Sequence, residues 1–283
     1  MNVAALLALI LSASAPRGGQ PPPPEPVVAL SGPAGRTVDI VPGGLVRWAG
    51  AGLTRCGDAR ETWAPAGDAC LYPVDLAQAE GTLGIFREGP EGTETATLRV
   101  LPPPYAEEDL EVDPRRVKLS PKDRARVDRE RKQVVPLFSQ RTQPVFALPF
   151  APPIALAPPP RNFGTRRTFN GEPRSAHGGA DFRAAAGTPV LAAEGGLVVL
   201  AAHHFFAGKS VYVDHGGGLL TMYMHLSRVD VRTGQRVARG ETLGLSGATG
   251  RVTGPHLHFG VRWRGARVDP AHLLADPATL PSP

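Results

Sequence analysis

Cysteine is scarce in this chain: Cys56 and Cys70 are the only two in 283 residues, and aromatic side chains make up just 6%. No histidine or third cysteine lies near the pair, so a cysteine-built zinc site is excluded there. Cys56 has no lipobox around it, which excludes a lipoprotein anchor. No apolar run reaches the ~20 residues needed to span a bilayer as a helix. Despite 33 Gly and 31 Pro there is no Gly-X-Y period, which excludes collagen, and no heptad run marks a coiled coil. Neither an RNP-type sequence nor a zinc-finger spacing is present. The net charge of +5 therefore points to an anionic environment without pointing to nucleic acid.

What is there sets an order along the chain. Residues 1–15 carry an apolar run from Val3 to Leu11 and then Ala13-Ser14-Ala15, the small-x-small pattern of a cleaved signal peptide. The other reading is a mature strand, since the first residues lack Lys and Arg and Pro16 follows at once. Residues 16–26 are a Pro-rich tether. From 27 to 101, short apolar runs punctuated by Gly and Pro predict a small β-rich domain, with TATLRVL alternating as a strand does. It holds the cysteine pair, which in an exported chain most simply forms a disulfide worth about 3 kcal/mol in the chain-entropy model. Two buried free thiols are the alternative.

Residues 102–160 change character. Ser120-Pro121-Lys122-Asp123 is a helix start with an N-cap, Pro at the first turn and an acid after it. The charged run behind it predicts a short solvated helix, and Pro149–Pro160 predicts a second linker. From 161 to 276 strand-like runs alternate with Gly turns and no long amphipathic helix, which predicts a compact β-sandwich or barrel; 277–283 is a tail. Flexible linkers would let the N-terminal domain fold over this second domain and regulate it.

Seven of the eight histidines lie between His177 and His258, and none precedes residue 177. His177 and Asp181 are four apart with Gly178-Gly179 between them, so they would converge through a turn into a strand. His256 and His258 in a strand share one face. His177, Asp181 and His258 together offer two imidazole nitrogens and a carboxylate oxygen, a three-ligand set that leaves tetrahedral Zn²⁺ an open position. Zinc can lower the pKa of a water there to about 7 and make it a nucleophile toward an amide carbonyl. His256 and His225 are candidates for the acid–base work. His203, His204, His215 and His272 read as structural or solvated.

At these residues the chain resembles the lysostaphin-type zinc endopeptidases, or LytM domain. AHGGADFRAAAGTPVLA, VYVDHGGGLLTMYMHLS and SGATGRVTGPHLHFGV carry the resemblance, with Asn162-Phe163-Gly164-Thr165-Arg166-Arg167 upstream. It covers about residues 160–270. It implies a mainly β fold, with an antiparallel sandwich or barrel-like domain of the duplicated hybrid motif type. It also implies one zinc on His177, Asp181 and His258, with His225 and His256 as catalytic histidines. Some members place a tyrosine a few residues before the first ligand; Phe169-Asn170-Gly171-Glu172 offers none. The layout resembles Gram-negative envelope endopeptidases, which implies a monomer exported to the periplasm or cell envelope that cuts the D-alanyl-diaminopimelate cross-link of peptidoglycan. The alternative is a non-catalytic LytM-like module that binds peptidoglycan or activates an amidase.

Overall fold

The computed structural model describes residues 36–111, 119–155, 157–158, 160–173 and 175–283. The expected signal peptide, the tether and the first residues of the expected N-terminal domain lie outside the described residues.

Runs such as Thr93 to Val100 form strands because alternate side chains reach opposite faces and β-branched residues suit the pleat. The first unit contains β1 (Thr37–Ile40), β2 (Leu45–Ala49), β3 (Arg55–Asp58), β4 (Thr62–Trp63), β5 (Ala69–Pro73), β6 (Gly81–Gly89) and β7 (Gly92–Val100). A sheet in the order β1-β7-β6-β3-β4 faces a ribbon of β2 and β5. Trp48, Tyr72, Ile85 and Leu98 fill the core they share. A Cys56–Cys70 disulfide links β3 of the sheet to β5 of the ribbon within that core.

Next comes β8 (Glu107–Leu110), then α1 (Pro121–Val134) and a 3₁₀ turn (Val135–Ser139). Ser120 Oγ accepts from the amide of Asp123 at 3.1 Å, with Pro121 in the first turn, which is why the helix begins there. No side chain of α1 is fully buried. Arg126 donates to the carbonyl of His203 at 3.3 Å, and Glu130 accepts from the amide of Phe205 at 2.8 Å.

The second unit runs β9 (Arg166–Phe169), β10 (Glu172–Pro173), β11 (Gly179–Arg183), β12 (Pro189–Leu191), β13 (Gly196–His204), β14 (Gly208–Asp214) and β15 (Leu219–Leu226). It continues through β16 (Arg228–Val229), β17 (Arg236–Val237), β18 (Thr242–Leu245), β19 (His256–Trp263), β20 (Ala266–Arg267) and α2 (Ala271–Leu274). The main sheet is antiparallel in the order β11-β19-β15-β14-β13-β17, with β20 on β19. A smaller sheet, β12-β18-β16, shares its core through Val190 and Leu243 against Tyr223, Leu257 and Phe259. The arrangement is sandwich-like, and the main sheet stays open between β11 and β17, so the barrel form of the expectation is not seen among the described residues. The other face of the main sheet, at Tyr212, Leu220 and Met222, is covered by Val134, Leu137 and Phe138.

Two expectations about the connections need correction. The segment expected as a second linker is packed: Phe150 and Ile154 are 2% and 4% exposed within the core of the second unit. Its backbone is tied down as well, Phe150 N to Leu273 O at 2.7 Å and Ala151 N to Ala193 O at 2.8 Å. Phe150 and Ile154, not the Pro and Ala content, decide its state.

The N-terminal unit is likewise fastened. Glu61 receives both guanidinium arms of Arg264, at 2.9 and 2.7 Å, and Asp75 pairs with Arg267 at 2.8 Å. Backbone bonds join Arg47 N to Pro281 O and Asp269 N to Gly43 O, each at 2.9 Å. Among the described residues, the hydrogen bonds of residues 36–101 reach this flank and none reaches the histidine cluster.

Candidate metal centre and flanking histidines

The antiparallel register of β11 on β19 sets Asp181 directly opposite His258 and Arg183 opposite His256. On β19 the neighbours Leu257 and Phe259 are fully buried in the core, so His256 and His258 share the other face. His177 enters from the irregular segment just before β11. Gly179 makes room for the meeting: a Cβ there would stand 2.6 Å from Nε2 of His258 and 2.7 Å from the carbonyl of Phe259.

Three donor atoms meet in a near-equilateral triangle. His177 Nε2 lies 3.0 Å from His258 Nδ1 and 3.1 Å from Asp181 Oδ1, and His258 Nδ1 lies 2.9 Å from Asp181 Oδ1. Ligand atoms around tetrahedral zinc, with bonds of about 2.0–2.2 Å, stand roughly 3.3–3.6 Å apart, so the triangle is a slightly contracted version of one face of that tetrahedron. The proton inventory agrees. His177 Nδ1 lies 2.8 Å from the carbonyl of Asn162, an acceptor, so it carries the proton and Nε2 presents a lone pair. Burial by itself would raise the Asp181 carboxyl, but the adjoining imidazoles of His177 and His258 outweigh it and hold the group well below the usual carboxylate range. Desolvation pushes His258 down, against the pull of Asp181. A proton on His258 Nδ1 can point to only one of its two neighbours. A cation at the centre of the triangle would satisfy all three atoms.

His225 and His256 stand beside the cluster. Their ring centroids are 4.9 Å apart, and the His225 centroid is 5.9 Å from that of His258. His256 Nε2 approaches Asp181 Oδ1 at 3.7 Å. Each ring is oriented by a main-chain carbonyl of one loop: His225 Nδ1 lies 2.9 Å from Thr249 O, and His256 Nδ1 lies 2.9 Å from Gly254 O. Both therefore carry the proton on Nδ1 and leave Nε2 a lone pair. His225 has a left-handed backbone, φ +66°, at a shift in the β14–β15 register, an uncommon conformation for a residue with a Cβ. Its amide bonds to Ala207 O at 2.9 Å, which fixes that bend. Burial, aided by His258, pushes its pKa down to about 3.

The remaining histidines lie apart from this arrangement in role: His215 is buried between Gly195 and Thr221, His204 is buried, His203 is exposed and His272 is half-buried. Side-chain patterns did not disclose the two carbonyls that orient His225 and His256, because every residue has a carbonyl and only the loop path aims it. Nor did they disclose Arg167, whose guanidinium comes within 3.6 Å of Asp181 Oδ2.

Residues 175–270 match the family described as Peptidase family M23. The peptidoglycan DD-endopeptidase ShyA of Vibrio cholerae serotype O1 is 47% identical over 109 residues, which are 38% of this chain and 25% of ShyA. ShyC of the same organism is 45% identical over 95 residues, 34% of this chain and 22% of that protein. The chain thus spans about a quarter of the length of these curated relatives. A crystal structure from Pseudomonas aeruginosa assigned to peptidase M23 is 30% identical with a TM-score of 0.65, covering 83% of this chain and 94% of that one.

Proposed function

The chain belongs to peptidase family M23, and from that premise we propose that it is a zinc metalloendopeptidase that hydrolyses the peptide cross-links of peptidoglycan. The observation that carries this reading is the triangle of His177 Nε2, Asp181 Oδ1 and His258 Nδ1, with two further imidazoles beside it. These three residues would hold one zinc ion per chain. The resemblance to the ShyA and ShyC DD-endopeptidases supports the D-alanyl-diaminopimelate bond as the one cut and the cell envelope, on its periplasmic side, as the place.

Bound zinc supplies a Lewis acid for the scissile carbonyl and acidifies water toward neutral pKa. The chain's own residues manage the protons. Hydrolysis requires that water give up one proton and that the leaving nitrogen gain one. His256 and His225 both present Nε2 lone pairs, because Gly254 and Thr249 hold their Nδ1 protons. One ring can take the proton at Nε2 and, as imidazolium, such a ring can return it to the amine. Asp181, kept ionised, gives the cluster one negative charge against a divalent ion.

A non-catalytic peptidoglycan-binding or amidase-activating module is the weaker reading, since all five positions of the constellation are filled and converge. Purified sacculi digested with the protein should lose cross-linked muropeptide dimers by mass spectrometry. A zinc chelator, His225→Ala and His256→Ala should each abolish that loss, and the product masses name the bond. Zinc-loaded protein that leaves every dimer intact would overturn the enzymatic reading.

A further inference from the structure

Asn162 precedes β9 and touches both the first and the second residue of the donor triangle. Its main-chain carbonyl faces His177 Nδ1 at 2.8 Å. Its side-chain amide spans Asp181 twice over: Nδ2 donates to Asp181 Oδ2 at 3.1 Å, and Oδ1 accepts from the Asp181 amide at 3.0 Å. One residue therefore holds the ring of His177 by its carbonyl, the carboxylate of Asp181 by Nδ2 and the backbone of Asp181 by Oδ1. We propose that Asn162 is the positioning residue of the centre, selecting the His177 tautomer and committing Asp181 to offer a single oxygen. The proposal rests on the zinc reading above.

The chemistry of the two carboxylate oxygens carries the argument. Oδ1 lies within about 3 Å of both imidazole nitrogens, and Oδ2 is turned away onto Nδ2 of Asn162. A carboxylate whose second oxygen accepts a hydrogen bond binds a cation through one atom; released, it can rotate and bind through both. An amide is suited to this place. It has a donor for Oδ2 and an acceptor for the backbone N–H at once, which neither a carboxylate nor an ammonium combines. Arg167, 3.6 Å from Oδ2, adds charge without the short contact.

Asn162 is itself held. Thr165 Oγ1 donates to its carbonyl at 3.0 Å, and the pair Gly164 N to His177 O and His177 N to Thr165 O, each 2.9 Å, laces the loop to the ligand's backbone. The next residue, Phe163, is 4% exposed and meets the Tyr105 ring edge-on at 5.8 Å. The Tyr105 hydroxyl donates to Pro42 O in the N-terminal unit. Supporting residues of this kind typically change metal affinity 10- to 100-fold when removed.

The test is metal binding by the full chain, read apart from activity. Zn²⁺ affinity is measured by competition with a chromophoric chelator for wild type, Asn162→Ala and Asn162→Ser, together with the visible spectrum of each Co²⁺-substituted protein and the unfolding midpoint of each apo-protein. The expected result is a 10- to 100-fold loss of Zn²⁺ affinity in Asn162→Ala. Its Co²⁺ bands should also weaken, as they do when a four-coordinate site gains a second carboxylate oxygen. Asn162→Ser, whose hydroxyl can recover one of the two side-chain bonds, should fall between. Wild-type affinity and an unchanged Co²⁺ spectrum in both variants would overturn the proposal. So would an affinity loss that merely follows the drop in the apo midpoint with the Co²⁺ bands intact. Wild type that binds no Zn²⁺ would overturn the zinc reading and this inference together.

Discussion

His215 illustrates what a single buried imidazole does to stability away from the proposed chemistry. Its Nδ1 lies 2.8 Å from Gly195 O and its Nε2 2.8 Å from Thr221 Oγ1, with the Phe150 ring 5.1 Å away. Burial pushes its pKa down to about 4. In the unfolded chain it titrates near 6.5. As pH falls, the unfolded state therefore takes up this proton first. The His215 contribution is complete above about pH 6.5, is lost between there and about pH 4, and amounts to about 3 kcal/mol. Denaturant titrations across that window should show a shallower pH dependence for His215→Gln than for wild type; parallel curves would refute the assignment. The sequence could not separate this histidine from its neighbours, because a lone imidazole carries no spacing. The i, i+2 pair of His256 and His258 was legible for the opposite reason: strand geometry puts both on one face whatever lies around them. What the pattern could not show is the register that sets Asp181 opposite His258, or the left-handed turn at His225.

Elements were legible where their signals are local. Helix α1 begins at Ser120-Pro121 because the cap, the proline and the acid act within one turn. The stretch after it was read from composition as a linker, and composition is silent about distant partners. Phe150 reaches His215 and the backbone of Leu273, and Ile154 joins the same core, so the strap is a structural part of the second unit. Phe150→Ala should therefore cost about 3–5 kcal/mol, the range for a large aromatic lost from a packed core. A linker residue would cost nearly nothing. Chemical denaturation distinguishes the two directly, and a loss under about 1 kcal/mol would contradict the packed role.

At the scale of the molecule, the two units are joined by groups that match in charge and direction. Glu61 takes Arg264, whose guanidinium is 7% exposed and stacks 4.5 Å from the Trp63 ring, and it also meets Arg141. Asp75 takes both Arg267 and the Arg267 amide. These partly buried pairs fall between exposed and buried ones, so Glu61→Ala and Asp75→Ala should each cost about 1–3 kcal/mol. Their functional consequence separates two pictures of the N-terminal unit. A domain that folds over the groove would, on release, raise endopeptidase activity. The contacts seen here run instead along the flank formed by Arg264, Arg267, Asp269 and Pro281, and through Pro42, Tyr105 and Phe163 to the loop that carries Asn162. A unit attached in that way would brace the centre, and weakening the dock should loosen the loop behind His177 and Asp181. The double variant Glu61→Ala/Asp75→Ala should thus unfold at lower temperature, bind Zn²⁺ less tightly and digest sacculi more slowly than wild type. Faster digestion at equal zinc loading would show that the dock restrains the enzyme, and the bracing role would have to be abandoned.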